Sequence, residues 1–246
     1  MKPKLNAVII GAGGVTSYML PALKNSFDLS VSIFDGDKLE KHNLDRQLFR
    51  NNQVGSYKAE ALLKLYTFRK ADGIAVCEYF TPELLETEYK QLFSIADIII
   101  CAVDNHPARK AAIQAADRFN TPIVVCANEY HTSQSYYYDP KYNQSHPNMH
   151  PFRRYHTIET DRSGSPISCQ GLALESDPQL AIANQVAASF GNYLVWLWHG
   201  SIKNETTQDI TLKYTPVEFQ STFSRIQTYT MDDIQKMEVR KNESSN

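Results

Sequence analysis

An acid, a guanidinium, an ammonium and a second acid are set along the first half of the chain as Asp35, Arg46, Lys58 and Asp104, behind a glycine-rich run, GAGGVTS, at 11–17. An apolar β-branched run ending in closely spaced glycines suits a parallel strand feeding a helix whose first amides can receive phosphate oxygens. Gly11 and Gly13 satisfy the first two places of G-x-G-x-x-G, but the third is Thr16, so this turn alone indicates a nucleotide and no more. Asp35 follows a second apolar run, 31–34, about where such a unit sets an acid against a ribose hydroxyl. A dinucleotide dehydrogenase has no stated need of Asn43, Arg46 and Gln47 after that acid, nor of a lysine opening the next helix and an aspartate ending the fourth strand. A site for a triphosphate and a metal does need such groups. Cations balance charge developing on an attacked phosphate, and a carboxylate holds the divalent ion.

The elements that must position these residues alternate. A strand at 4–10 runs into a helix reaching toward Phe27, with Pro21 inside it near enough to the first turn for the lost donor to cost little. Next come a strand at 31–34, a loop with short helical turns over 37–50, and a helix over 56–71 with Lys58 in its first turn. A strand at 74–80, a short helix at 82–93 and a nearly all-apolar strand at 96–103 lead to Asp104. A helix at 108–119 and a strand at 122–127 complete the series. This order predicts an α/β fold, a doubly wound, mainly parallel Rossmann-like sheet with ligands outside the carboxyl ends of its strands, where Gly13, Asp35 and Asp104 fall.

Residues 133–165 have no sustained period, and their tyrosines at 136–138 read as an edge strand or a subunit contact. An apolar helix follows over 177–199, closed by Gly200, and its near-continuous apolar surface belongs in a core or against a second copy. Alternation at 210–214 and 222–228 suggests two late strands forming a small irregular or antiparallel extension. The expected organisation is a nucleotide-binding core at 1–132, an irregular substrate or crossover segment at 133–168, elements completing the same domain at 169–235, and a frayed polar tail at 236–246.

A net charge of -2 gives no general attraction to nucleic acid. No apolar run approaches the roughly 20 residues that span a bilayer, and the first six residues lack the apolar core of a signal peptide, so no membrane is expected and a cytoplasmic location is. Cys77, Cys101, Cys126 and Cys169 lie far apart with no C-x-x-C pair, which suits reduced thiols and leaves no structural zinc site. Cys169 alone lies outside a strand-like run, either as a nucleophile near helix amides or as an inert thiol. His131, His146, His150 and His156 share one irregular segment with no common element to fix metal geometry, so they read as a polar, substrate-facing loop.

Four motifs in order resemble the ThiF/MoeB and ubiquitin-activating E1-like adenylyltransferases: the turn at Gly11, Gly13 and Gly14, DGDKLEKHNLDRQ at 35–47, GSYKA at 55–59 and DNHPAR at 104–109. Ser168, Cys169, Gln179, Asn184 and a helix ending near Trp198 look most like the short PRTRC-type ThiF proteins of plasmid and mobile-element gene clusters. The resemblance implies a Mg-ATP-dependent adenylyltransferase. A carboxylate, usually the C-terminal glycine of a ubiquitin-like or sulfur-carrier protein or of a peptide, attacks the α-phosphate of ATP and releases pyrophosphate. Carried over, Asp35 holds the ribose beside Asp37, Arg46 and Lys58 hold the phosphates, Asp104 holds Mg²⁺, and Asn43 and Gln47 orient the phosphate-side network. It also implies a homodimer.

Two departures stand out. The sequence opens directly on the expected first strand, without the helix from which relatives lend an arginine to the partner's nucleotide, so Arg153 or Arg154 is expected to stand in or turnover to be slow. The two C-x-x-C zinc pairs of many relatives are absent, which bears on sulfur-carrier biosynthesis and not on adenylation. Asp104 could instead cap the following helix with Asn105 as a turn former, and Arg109 could make a structural salt bridge or a phosphate contact. The competing functions are a non-catalytic E1-like binding module and an NAD(P)-linked oxidoreductase.

Overall fold

Alternate residues of the first strand face two different cores. In the computed structural model, which describes residues 2–66, 68–69, 72–128, 132–160, 180–203, 215–222 and 225–243, Leu5, Ala7 and Ile9 of β1 (Lys4–Ile10) pack on one side of a sheet and Val8 and Ile10 on the other. The sheet has eight strands in the order β3-β2-β1-β4-β5-β6-β7-β8. Strands β2 (Asp28–Phe34), β3 (Gly73–Val76), β4 (Ile98–Cys101) and β5 (Ile123–Asn128) run parallel with β1. Strands β6 (Ser133–Tyr138), β7 (Pro216–Thr222) and β8 (Arg225–Thr230) add an antiparallel extension. All four residues of β4 are buried because helices cover both faces of the sheet, so the strand reads as continuously apolar.

One face is covered by α1 (Gly14–Ser26) and α7 (Ala181–Lys203), which supply Met19, Leu20, Leu23, Ala187, Leu194 and Trp198. The α2 helix (Lys58–Leu65) adds Ala59 and Leu62 to that side. The other face receives Phe93 of α3 (Lys90–Ser94), Ala112, Ala115 and Ala116 of α4 (His106–Phe119), and Ile158 beyond α5 (Pro151–Arg154) on α6 (His156–Thr160).

Pro21 lies in the middle of α1, farther from its first turn than the sequence suggested, and cannot donate to the Ser17 carbonyl. The hydroxyl of Tyr66, just after α2, donates to that carbonyl at 2.8 Å instead. Tyr66→Phe removes the substitute donor from a partly buried oxygen. It is expected to lower stability by about 1 kcal/mol, measured as a lower urea midpoint at unchanged slope.

Several sequence expectations are corrected. The helix expected over 82–93 is a 3-10 turn, Pro82–Glu86, followed by α3. Thr87 separates them, its Oγ1 donating to the Leu84 carbonyl and accepting from the Tyr89 amide, which diverts both groups from a continuous helix. The tyrosine strand is interior, because β7 pairs with its outer edge; Tyr136, Tyr137 and Tyr138 are buried. The late strands lie at 216–222 and 225–230, and the stretch 210–214 lies outside the described residues. The α7 helix passes Gly200 and has two faces. Trp198 is buried, stacked on Tyr137 at 4.3 Å between ring centres, while Ile182, Tyr193 and Trp196 are exposed. The tail expected to fray from 236 continues a helix, α8 (Met231–Glu243). Thr230 and Asp233 start it with reciprocal bonds, Thr230 N to Asp233 Oδ2 at 2.9 Å and Asp233 N to Thr230 Oγ1 at 3.3 Å, and Met231 and Ile234 anchor it in the core.

Candidate active site

The crevice is built where the sequence places chemistry, at the carboxyl ends of β1, β2, β4 and β5. Gly11 has φ +96°, and a Cβ there would lie 2.5 Å from the Ala102 carbonyl oxygen, so both backbone sign and space demand glycine. Gly14 opens α1 against Asn184 of α7, whose amide nitrogen a Cβ at Gly14 would meet at 2.3 Å. Gly13 is the N-cap of α1 and carries no side chain to bond the first amides, and no acid stands in the first turn. Those amides remain available to an anion, with the positive end of the helix behind them. Gly11→Ala is expected to cost about 1–3 kcal/mol through backbone strain, read as a lower melting temperature, and to abolish protection by nucleotide.

Asp35 directly follows β2 and accepts from the Ala12 amide at 2.6 Å and the Asp37 amide at 2.8 Å. Burial pushes its carboxyl above the usual range, against the lowering pull of the Ala12 amide, the Lys58 charge and the Asp37 amide. At Asp37 burial acts upward as well, but the Lys58 hydrogen bond, the Tyr79 hydrogen bond and the Lys58 charge outweigh it, so this carboxyl lies below its ordinary value. Lys58, the first residue of α2 and almost fully buried, donates from Nζ to Asp37 Oδ2 at 2.7 Å. The Tyr79 hydroxyl donates to Asp37 Oδ1 at 2.5 Å, which pushes the phenol up to about 12.

The segment between Asp37 and α2 carries the remaining groups. Asn43 is buried in the 3-10 turn Lys41–Asp45, its Oδ1 accepting from the Glu40 amide at 3.0 Å. Arg46 follows that turn and donates from Nη1 to the His42 carbonyl and to Asp45 Oδ1, both at 3.0 Å. Asn184 Nδ2 donates to the Arg46 carbonyl at 3.1 Å, tying this segment to the start of α7. Gln47 Oε1 is buried without a hydrogen-bond partner among the described residues.

Asp104 is exposed at the end of β4. The cap of α4 is Asn105, whose Oδ1 accepts from the Ala108 amide at 2.9 Å, so the capping role considered for Asp104 falls to its neighbour. Arg109 is buried and donates to the Val103 carbonyl at 2.6 Å.

One cavity of about 940 Å³ is lined by Gly11, Gly13, Gly14, Asp35, Asp37, Asn43, Arg46, Gln47, Lys58 and Asp104. Cys169, the remaining sequence candidate, lies outside the described residues, as does His131. Tyr79, Asn128, Asn184 and Arg109 line the same cavity. Nothing in the sequence assigns Tyr79 a role. Asn128 is the last residue of β5 and Asp104 follows shortly after β4, so the rule that ligands gather past the carboxyl ends of strands points to both. Arg154 is not available to a neighbouring nucleotide: it is paired with the fully buried Glu218 of β7 and lies over the rings of Tyr136 and Tyr155. Arg153 is exposed. His150 faces Asp117 at 3.2 Å and packs against Tyr138 and Phe152, so its surroundings are structural.

The donor set fits magnesium. That ion keeps several waters and takes one or two carboxylates together with substrate phosphates, so it needs no dedicated protein cage. Asp104 supplies an exposed carboxylate at the cavity, and among the described residues no three His, Cys, Asp or Glu side chains form a cluster of their own.

A mainly parallel Rossmann-type sheet with a glycine turn, a half-buried acid just past the next strand and cations around one crevice defines an α/β protein of E1-like architecture. The chain belongs to the ThiF family, whose profile matches residues 3–246. It is 32% identical over 104 residues to the NEDD8-activating enzyme E1 catalytic subunit of Caenorhabditis elegans, covering 42% of this chain and 24% of that protein. It is 29% identical over 122 residues to ubiquitin-like modifier-activating enzyme 5 of Drosophila mojavensis, covering 46% and 31%. The chain thus spans about a quarter to a third of the curated relatives it matches. Among solved structures, selenomethionine PaaA superposes with a TM-score of 0.61 at 18% identity, covering 92% of this chain and 63% of that one. Escherichia coli MccB with AMPCPP and MccA gives 0.59 at 19%, covering 92% and 64%. Among the described residues no helix is long and apolar enough to cross a membrane.

Proposed function

We propose that this protein activates a carboxylate, the C-terminus of a ubiquitin-like or sulfur-carrier protein or of a peptide, by transferring the adenylyl group of Mg-ATP to it. The observation that carries this reading is the convergence of Asp35, Arg46, Lys58 and Asp104 on one cavity beside the uncapped start of α1. Kinship supports it: relatives are named as activating enzymes for ubiquitin-like modifiers, and MccB has been solved with ATP.

Asp35 grips the ribose, and the amides after Gly13 receive phosphate oxygens. Mg²⁺ held by Asp104 supplies a Lewis acid for the phosphates. A carboxylate oxygen of the acceptor forms a bond to the α-phosphorus. The bond from that phosphorus to the α–β bridging oxygen breaks, and the pyrophosphate leaves with the electron pair. No proton moves in this step. The task of the protein is to hold the two reactants in line and to oppose negative charge with Arg46 and Lys58. Asn43 and Gln47, which line the same cavity, orient the phosphate-side network.

The exposed side chains Ile182, Tyr193 and Trp196 on α7 support a homodimer. The need for ATP, together with the thiols of Cys77 and Cys126, supports a cytoplasmic location. ATP–pyrophosphate exchange, assayed with peptides ending in glycine, tests the reading, and exchange that depends on Mg²⁺ and acceptor is expected. Protection by Mg-ATP with no exchange for any acceptor would favour a binding module. Protection by NAD but not by Mg-ATP would favour an oxidoreductase.

A further inference from the structure

The adenylation roles account for the ends of β2, β1 and β4 but leave the end of β5 unused. There Asn128 is 9% exposed and lines the cavity, and its amide nitrogen is buried with no hydrogen-bond partner among the described residues. A buried donor left unpaired costs stability, so a chain that keeps one in a ligand cavity is arranged for an acceptor that arrives with the ligand. We propose that Asn128 binds the acceptor end of the reaction, donating from its amide to the terminal carboxylate of the incoming chain and then to the carbonyl of the acyl-adenylate. This inference rests on the adenylation reading.

Sheet order gives the direction. The ends run β2, β1, β4, β5 and carry Asp35, the glycine turn, Asp104 and Asn128 in turn. A nucleotide with its sugar at Asp35 and its phosphates over the glycine turn extends toward Asp104, and the space past Asp104 remains for the second reactant. A neutral amide suits that place. A lysine or arginine would pair with the attacking carboxylate and lower its nucleophilicity, whereas an amide orients it and leaves the charge in place. Ala102 and Ala127 line the same cavity and leave room beside Asn128 for the end of the incoming chain.

The test compares two ligands, adenosine 5′-sulfamate and its N-glycyl derivative, whose added acyl group, with its anionic linkage, stands in for the activated acceptor. Dissociation constants are measured for the wild type, Asn128→Ala and Asn128→Leu. The Leu variant keeps the approximate shape and removes the donor without adding a charge, so it answers the question if the Ala variant fails to fold. The wild type is expected to prefer the glycyl compound. Both variants should lose about five- to tenfold on the glycyl compound, the worth of one hydrogen bond, and less than about twofold on the bare sulfamate. Equal losses on both ligands, no loss on either, or a wild type indifferent to the glycyl group would each overturn the role of Asn128 while leaving nucleotide binding standing. A wild type that binds neither ligand would overturn the adenylation reading itself.

Discussion

Replacing Lys58 with alanine is expected to lower ATP–pyrophosphate exchange by about 10²–10³-fold with little change in melting temperature. The two effects separate because of where the ammonium sits. Lys58 is itself buried, but its partner Asp37 is 44% exposed, so losing the pair leaves a carboxylate that water can solvate and costs little stability. Charge developing on the phosphates has no such recourse inside the crevice, where a positioned cation is worth far more than in water. Asp104→Asn should cause a loss of similar size and should raise the Mg²⁺ concentration needed for half-maximal exchange. Exchange that survives both substitutions would defeat the assigned roles. The sign of the pH dependence follows from Asp37. Its folded-state pKa is depressed, so the stability contributed by its pairing is present above the unfolded value near 3.8 and is lost as pH falls through the lower folded value. Protection by Mg-ATP should therefore not fall because of this pair between neutral pH and pH 5.

How much of the site was legible follows from what each residue depends on. Asp35, Lys58 and Asp104 are fixed by local rules, namely the end of an apolar strand or the first turn of a helix after a G-x-x-K-A start, and those rules work within a few residues of sequence. Asn184 could not be read this way. Its contact with the Arg46 carbonyl joins residues 138 apart, and the steric demand it places on Gly14 exists only once α7 lies on α1. Tyr79 is similar, since its hydroxyl reaches Asp37 across the crossover from β2 to β3. In the fold, the apolar strands declared themselves because burial on both faces leaves a continuous pattern. The tyrosines at 136–138 did not reveal an interior position, because the strand that covers them comes some eighty residues later, in β7. The segment after 236 looked like a tail because its polar composition hides a helix started by the Thr230–Asp233 cap.

That late pairing of β6 with β7 concentrates the largest expected stability effect at Glu218. Its side chain is fully buried and accepts from Gln134 Nε2 at 2.6 Å, Tyr155 Oη at 2.7 Å and Gln220 Nε2 at 2.5 Å, and it pairs with Arg154 of α5. Glu218→Ala would leave the Arg154 guanidinium uncompensated between Tyr136 and Tyr155, and Arg154→Leu would strand the carboxylate. Each is expected to cost about 3–5 kcal/mol, or a fall of roughly 6–20 °C in melting temperature for a domain of this size. The double variant should cost less than the sum of the two, with a coupling of about 0.5–3 kcal/mol, because removing both charges leaves no bare ion behind. Urea unfolding of the three variants measures this, and single losses under about 1 kcal/mol would show that the pair contributes nothing of the kind. Neither Arg154 nor Glu218 lines the cavity that holds Asp35 and Lys58. Folded Glu218→Ala should therefore still gain the full wild-type increment of protection from Mg-ATP, which separates this node, a support for the antiparallel extension, from the groups proposed to meet the substrate.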